Sequence, residues 1–204
     1  MSEEPRVGPP SRVRIGRQGG RRALLVDGVA QSIEVRGDEP TPGYWTAMLP
    51  DFAPRRALLL GYGGGTIARL LLVRFEAVRI TAVDDDPLVL AAVQRHPHFR
   101  VGPEQVEIIQ DDAFKAVRRF ADAGEQFDYV AVDLYRGSEM VRASLARPFL
   151  NRLDELLADD GLVAFNLPRD RRAARRLRRI EQYFEIVRES LVGLNCVVHC
   201  LPLP

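Results

Sequence analysis

Lysine is almost missing from this chain: Lys115 is the only one, and arginine supplies the rest of its 29 basic residues. Those charges meet 28 acidic ones, for a formal net charge of +1. With no large net charge there is no global field to draw in nucleic acid or an anionic membrane. The arginine preference itself reads as codon usage. Cysteine is nearly as scarce. Cys196 and Cys200 lie four apart in one apolar stretch, on the same side of a strand and too far apart for an unstrained disulfide. They read as reduced core thiols, which points to a cytoplasmic setting. His96, His98 and His199 have no metal-ligand spacing, so no metal is expected. No opening segment reads as a secretion signal, and no apolar run is long enough to span a bilayer.

What the chain does have is a glycine cluster fed by an apolar run. Ala57-Leu58-Leu59-Leu60 leads into Gly61-Tyr62-Gly63-Gly64-Gly65-Thr66, and a helical pattern follows at once. A buried parallel strand is apolar on both faces. Glycines at its end let the backbone turn and approach a ligand, and the first helical turn offers free N–H groups. Gly61, Gly63 and Gly65 alone are equally compatible with a turn that binds nothing. The supporting feature is Asp84-Asp85-Asp86-Pro87, at the end of the next apolar run and about 20 residues on, where a carboxylate grips a ribose in nucleotide-binding α/β units.

The rest of the chain alternates strand and helix. Residues 1–12 read as a mobile tail. Residues 13–50 form a small β region, with a hairpin about Gln18-Gly19-Gly20, a turn at Asp27-Gly28 and a short helix near Tyr44 to Met48. Residues 51–204 read as a nucleoside-binding domain with strands at 57–60, 78–83, 106–109, 127–132 and 162–165. Helices are expected at 66–75, 87–95, 113–122, 146–158 and 170–183. Strands at 186–190 and 196–201 are too close for a parallel crossover and must form an antiparallel hairpin. Repeated βα units imply a mostly parallel sheet covered on both faces, with ligands at the carboxyl ends of its strands. Asp84, Asp111-Asp112 and Asp133 fall there.

Six segments in order resemble the spermidine synthase family of polyamine aminopropyltransferases, and within it a shorter spermidine-synthase-like branch. They are Asp27-Gly28-Val29-Ala30-Gln31, the glycine motif, Asp84-Asp85-Asp86-Pro87, Val106 to Ala113, Phe127 to Asp133, and Asp160 to Leu167. The resemblance implies a Rossmann-like sheet of the class I methyltransferase type, with seven strands of which the last is antiparallel, after a small N-terminal β-hairpin region. It implies an S-adenosylmethionine or decarboxylated S-adenosylmethionine co-substrate and a homodimer. Carried over, Asp84 would bind the ribose hydroxyls, Asp112 the adenine amino group and Gln31 the nucleoside from the N-terminal side, with Asp85 and Asp111 beside them. Asp133 would sit at the sulfonium carbon as the catalytic carboxylate. A carboxylate there can orient an amine and take its proton.

Three departures fall on the polyamine side. Gly63 replaces the aspartate of the family's glycine motif. Asp133-Leu134-Tyr135-Arg136 replaces a loop with two carboxylates, and Tyr44-Trp45-Thr46 replaces a segment ending in glutamate. Tyr44, Trp45, Tyr135 and Arg136 are therefore the candidate acceptor-site residues, although Tyr44 and Trp45 could equally pack the N-terminal segment on the sheet. Arg136 could pair with Glu139 or Asp133, or meet an acidic acceptor. An arginine within ~6 Å of a diamine repels it by roughly 1–3 kcal/mol. Intact donors should then be tolerated and putrescine disfavoured. Asp84 and Asp112 could alternatively be helix caps. The arginine run 169–179 reads as a solvated helix face or a site for an anion or partner, and lacks the aromatic interleaving of a nucleic-acid surface. Two functions remain open: an S-adenosyl-dependent transferase, and a catalytically silent nucleoside-binding dimer module.

Overall fold

The computed structural model describes residues 13–37, 39–102 and 104–204; the expected tail at 1–12 lies outside them. Three antiparallel strands come first, β1 (Val13–Gln18), β2 (Arg21–Val26) and β3 (Val29–Ile33). The β2–β3 turn is Asp27-Gly28, both with positive φ, as a two-residue hairpin loop demands. A 3₁₀ turn, Tyr44–Met48, leads on. The main sheet then begins: β4 (Arg56–Leu60), α1 (Thr66–Arg74), β5 (Arg79–Asp84), α2 (Pro87–Arg95), β6 (Val106–Gln110), α3 (Ala113–Asp122) and β7 (Phe127–Val132). A miniature hairpin, β8 (Tyr135–Arg136) and β9 (Glu139–Met140), interrupts the alternation. A second 3₁₀ turn (Arg142–Leu145), α4 (Arg147–Glu155), β10 (Leu157–Pro168), α5 (Ala173–Ile180), β11 (Phe184–Val192) and β12 (Asn195–Pro202) complete the chain.

Seven strands lie in the order β11-β12-β10-β7-β4-β5-β6, and β12 alone runs against the rest. This is the mostly parallel α/β sheet with an antiparallel closing strand that the sequence implied. Strand β4 shows why it forms. Ala57 and Leu59 enter one core with η-turn, α1 and α2 residues, whereas Leu58 and Leu60 enter the other with α3, α4 and α5. The period of two with apolar residues on both sides is the mark of a covered strand. Leu24, Val26 and Ile33 of the small sheet join the first core, so this sheet packs on the main one. Cys196 and Cys200 are buried free thiols in the second.

Besides the β8–β9 hairpin, which was not expected, α4, β10 and α5 have bounds that differ from expectation by three residues or more. Helix α4 stops at Glu155 and β10 starts at Leu157, because Leu157 pairs with Phe127 before a register shift that ends at Leu162. Helix α5 starts at Ala173, three residues late, since the Asp170 carboxylate accepts from Arg172 N (2.8 Å) and holds a turn instead.

Candidate active site

From β4 the chain runs to β5 and β6 on one side of the sheet, and later to β7 and β10 on the other. The crevice at that reversal is where open α/β sheets bind ligands. A cavity of about 800 Å³ opens there, within the range for small-molecule sites. Gly61 (φ +91°) and Asp133 meet at its floor. A Cβ at Gly61 would overlap the Asp133 carbonyl, so only glycine lets β4 and β7 end side by side. Asp133 N donates to Leu60 O at 2.9 Å, which fixes the approach.

One wall is acidic. Asp84 ends β5 and accepts from Gly63 N (2.8 Å) and Asp86 N (3.0 Å). Burial pushes its carboxyl up to about 6, against the pull of those two amides. The cap of α2 is Asp86, which accepts from Leu88 N (2.9 Å), so Asp84 is not spent on the helix. Asp112 does cap α3, through Phe114 N (2.9 Å) and Lys115 N (3.0 Å). Asp111 accepts from Asp112 N and pairs with Arg119. Asp84, Asp85, Asp111 and Asp112 all line the cavity, with Pro87, Leu88, Val89 and Phe114 as an apolar surface between them. Carboxylate acceptors and apolar side chains therefore face one space.

The other wall carries Asp133. Its Oδ2 accepts from the Tyr44 hydroxyl (2.7 Å) and its Oδ1 from Asn166 Nδ2 (2.8 Å). Asn166 is itself held by Asn195, whose Nδ2 donates to its Oδ1 at 2.8 Å. Burial raises the Asp133 carboxyl above the usual carboxylate range despite both bonds, and raises Tyr44 well above a free phenol. Tyr44 is placed from behind. Tyr129 and His199 donate to Met48 O, and Arg188 Nη2 to Leu49 O (2.8 Å), so the 3₁₀ turn is pinned to β7, β11 and β12. His199 is neutral for this task, its pKa pushed down to about 4 by burial and by Arg188.

The β8–β9 hairpin roofs the cavity. Gln31 Nε2 donates to Gly137 O (2.8 Å), and Arg136 pairs with Asp85 at 2.9 Å. Gln31, Tyr135 and Arg136 line the space, as expected. The partner of Arg136 is neither Glu139 nor Asp133, the two expected from sequence, but a carboxylate 51 residues away. Gly65 and Trp45 stand off the cavity. Gly65 begins α1 against the Tyr62 ring, and Trp45 is 6% exposed in the first core, so both serve packing. Gly63 lines the cavity, but its Cβ direction is closed. A Cβ there would lie 3.1 Å from Gln31 O and Ser32 Oγ, at a φ of +54°. Asn166, Asn195 and Gly137 were not singled out from sequence. Asn166 sat within a recognised segment, whereas Asn195 and Gly137 gave no local signal. Among the described residues, no group of three or more His, Cys, Asp or Glu could hold a metal ion. No helix among them is long and apolar enough to cross a membrane.

A model of the spermine/spermidine synthase domain matches residues 44–168, more than half of the chain. The chain belongs to the spermine/spermidine synthase family. It is 27% identical over 182 residues to a polyamine aminopropyltransferase of Neisseria meningitidis, covering 85% of this chain and 68% of that one. With its Pyrobaculum arsenaticum counterpart it shares 31% over 150 residues, 71% of this chain and 52% of the relative. The chain thus spans two thirds to half of these relatives. In the same fold are a spermidine synthase complexed with the transition-state analogue AdoDATO (TM-score 0.72, 17% identity, 95% and 71% coverage) and human methyltransferase-like protein 13 with SAH (0.67, 19%, 74% and 73%). The class I methyltransferase type of sheet is thereby shared with both kinds of enzyme.

Proposed function

We propose that this family member is a transferase that binds an S-adenosyl donor against Asp84 and moves an alkyl group from sulfur to an amine held at Asp133. The observation that carries this reading is the position of Asp133. A half-buried, proton-hungry carboxylate, fixed by Tyr44 and Asn166, faces the same cavity as the ribose-type acceptor Asp84. The amine nitrogen forms a bond to the carbon beside the sulfonium, the C–S bond breaks and a neutral thioether leaves. The N–H proton passes to the Asp133 carboxylate, whose raised pKa suits it as a base. The SAH and AdoDATO held by the two structural neighbours support the donor class.

The charge balance bears on which donor and acceptor. Asp85 offsets Arg136, whose side chain is 72% exposed, so the expected positive shift of the pocket rests mainly on Gly63. Donors that retain their own carboxylate are therefore accepted, and in the Asp133–Arg136 loop a doubly charged diamine such as putrescine meets one carboxylate, Asp133, where the family loop has two. Self-association as a homodimer through the open edge strands is part of the reading, with light scattering as its check. The main test is calorimetry with S-adenosylmethionine, its decarboxylated form, methylthioadenosine and S-adenosylhomocysteine, beside a putrescine activity assay. Intact S-adenosylmethionine or S-adenosylhomocysteine should bind at least as tightly as the decarboxylated donor, with little spermidine formed. Robust spermidine formation would overturn the acceptor assignment, and no nucleoside binding would overturn the whole.

A further inference from the structure

Seven arginines and only two acids occupy residues 169–181, and the fold spends few of them. Arg176 is bound to Asp170 by two bonds (2.7 and 3.1 Å), and Arg179 reaches Leu145 O and Gln182. Arg169, Arg171, Arg172, Arg175 and Arg178 are exposed, and none is in an ion pair among the described residues. Arg175 and Arg178 lie one turn apart on α5, and Arg171 stands in the turn just before it, so the three follow one another along the chain as a basic stripe. Like charges at that spacing destabilise a helix, and Arg172 opposes the dipole at the start of α5. No ion pair among the described residues uses these five guanidiniums, which leaves them available to a partner outside the chain.

The stripe also has a place relative to the cavity. Arg169 is three residues beyond Asn166, which holds Asp133, or roughly 10 Å of extended chain. Arg176 and Asp170 both act electrostatically on Tyr135, a cavity-lining residue. Across the mouth stands the acidic wall, three strand spacings from β10 to β5, roughly 14 Å. The carboxyl edge of the sheet is thus divided in charge, with the arginine-rich segment after β10 and aspartates after β5 and β6. A polyphosphate chain crossing it would be repelled by that wall, and α5 offers no exposed aromatic ring for a base to stack on. A polypeptide can confine its negative charge to one stretch.

We infer that the exposed arginine stripe of α5 docks an acidic polypeptide segment, placing it beside the acceptor side of the cavity. That an amine on this polypeptide is the acceptor rests on the transferase reading; the docking does not.

Fluorescence anisotropy with the full chain tests it, using a labelled glutamate-rich peptide, a neutral peptide of equal length and a single-stranded oligonucleotide of equal charge. The glutamate-rich peptide should bind best, and weaken as salt is raised. Arg171→Glu/Arg175→Glu/Arg178→Glu should bind it about tenfold less tightly or worse, while S-adenosylhomocysteine affinity and thermal unfolding stay at wild-type values. Equal peptide binding by the triple variant, no binding by the wild type, or tighter binding of the oligonucleotide would each overturn the docking. Peptide binding without any nucleoside binding would uphold the docking and defeat the transferase reading.

Discussion

The two walls of the cavity hold their carboxylates by different means. On the nucleoside side Asp84, Asp86 and Asp112 accept from main-chain amides, those of Gly63, Asp86, Leu88, Phe114 and Lys115. On the acceptor side Asp133 is held by side chains alone, Tyr44 and Asn166, which lie 89 and 33 residues away in sequence. A main-chain donor survives nearly any substitution, whereas a side-chain donor is lost with one. The nucleoside wall is therefore robust to sequence change and the acceptor wall is open to it. Two of the three departures from the family pattern, the Asp133–Arg136 loop and the Tyr44–Thr46 segment, fall on the second side; the third, Gly63, changes a side chain and keeps its main-chain bond to Asp84.

The comparison breaks hardest at Asp133. Asp133→Asn keeps the shape and both neighbours but removes the base, so transfer should fall by about 10²–10⁴-fold. Affinity for S-adenosylhomocysteine should stay close to wild type, because the nucleoside wall is untouched. The readouts are single-turnover transfer and calorimetry on the same preparation. A parallel loss of nucleoside affinity would mean that the two walls do not act separately.

Next in size is Asp84. Asp84→Ala removes a charged acceptor shared by two hydroxyls, at a cost of about 1.5–3 kcal/mol, or roughly 10–150-fold in Kd. The wild-type site should also titrate. With its carboxyl at about 6, Asp84 is increasingly protonated below that pH, so nucleoside affinity should rise as pH goes from 5 to 7 and then level off. Stability runs the other way. The folded carboxyl holds its proton to a higher pH than an unfolded one near 3.8, so the stability that Asp84 contributes is full below that pH and lost as pH rises through about 6, whereas His199, pushed down to about 4, contributes the opposite slope over the same range. Asp133 is shifted in the same direction as Asp84 and adds to its effect. Calorimetric titrations check the first sign, the difference between wild-type and Asp84→Ala denaturant melts across this range checks the second, and Asp84→Ala should flatten the binding profile.

The same division explains what could be read from sequence. Strand β4, the glycine loop and α1 are contiguous, and each glycine, apolar and capping residue signals locally, so their order and bounds were legible. So were the acids of the nucleoside wall, because their partners lie in the next few residues or in the preceding βα turn. Three things were not. The β8–β9 hairpin has two-residue strands, too short to carry a periodicity. Asn195 reaches Asp133 only through Asn166, by way of the antiparallel pairing of β12 with β10. Arg136 has an acid three residues away on either side, Asp133 and Glu139, and only the fold brings Asp85 within reach. Side-chain partners chosen by tertiary packing leave no mark on the residues around them.

The roof offers the smallest and most discriminating test, since it is latched once by each kind of bond. Gln31 reaches a main-chain carbonyl, that of Gly137, at 2.8 Å in a partly buried setting. Arg136 and Asp85 meet as side chains that are 72% and 51% exposed. An exposed ion pair of this kind contributes about 0.2–1 kcal/mol and weakens with salt. The amide bond contributes about 0.5–1.5 kcal/mol and does not depend on salt. If the latches hold the hairpin over bound nucleoside, each loss appears as faster release. Gln31→Ala should then speed S-adenosylhomocysteine dissociation by about 2–10-fold at any ionic strength. Arg136→Ala and Asp85→Ala should each speed it by no more than about fivefold, with the double variant no worse than either single one. Their effect should vanish in high salt. Stopped-flow release at low and high salt separates the cases. An ion-pair effect that exceeds that of Gln31, or that persists in salt, would show that side-chain contacts dominate the roof as they do the acceptor wall.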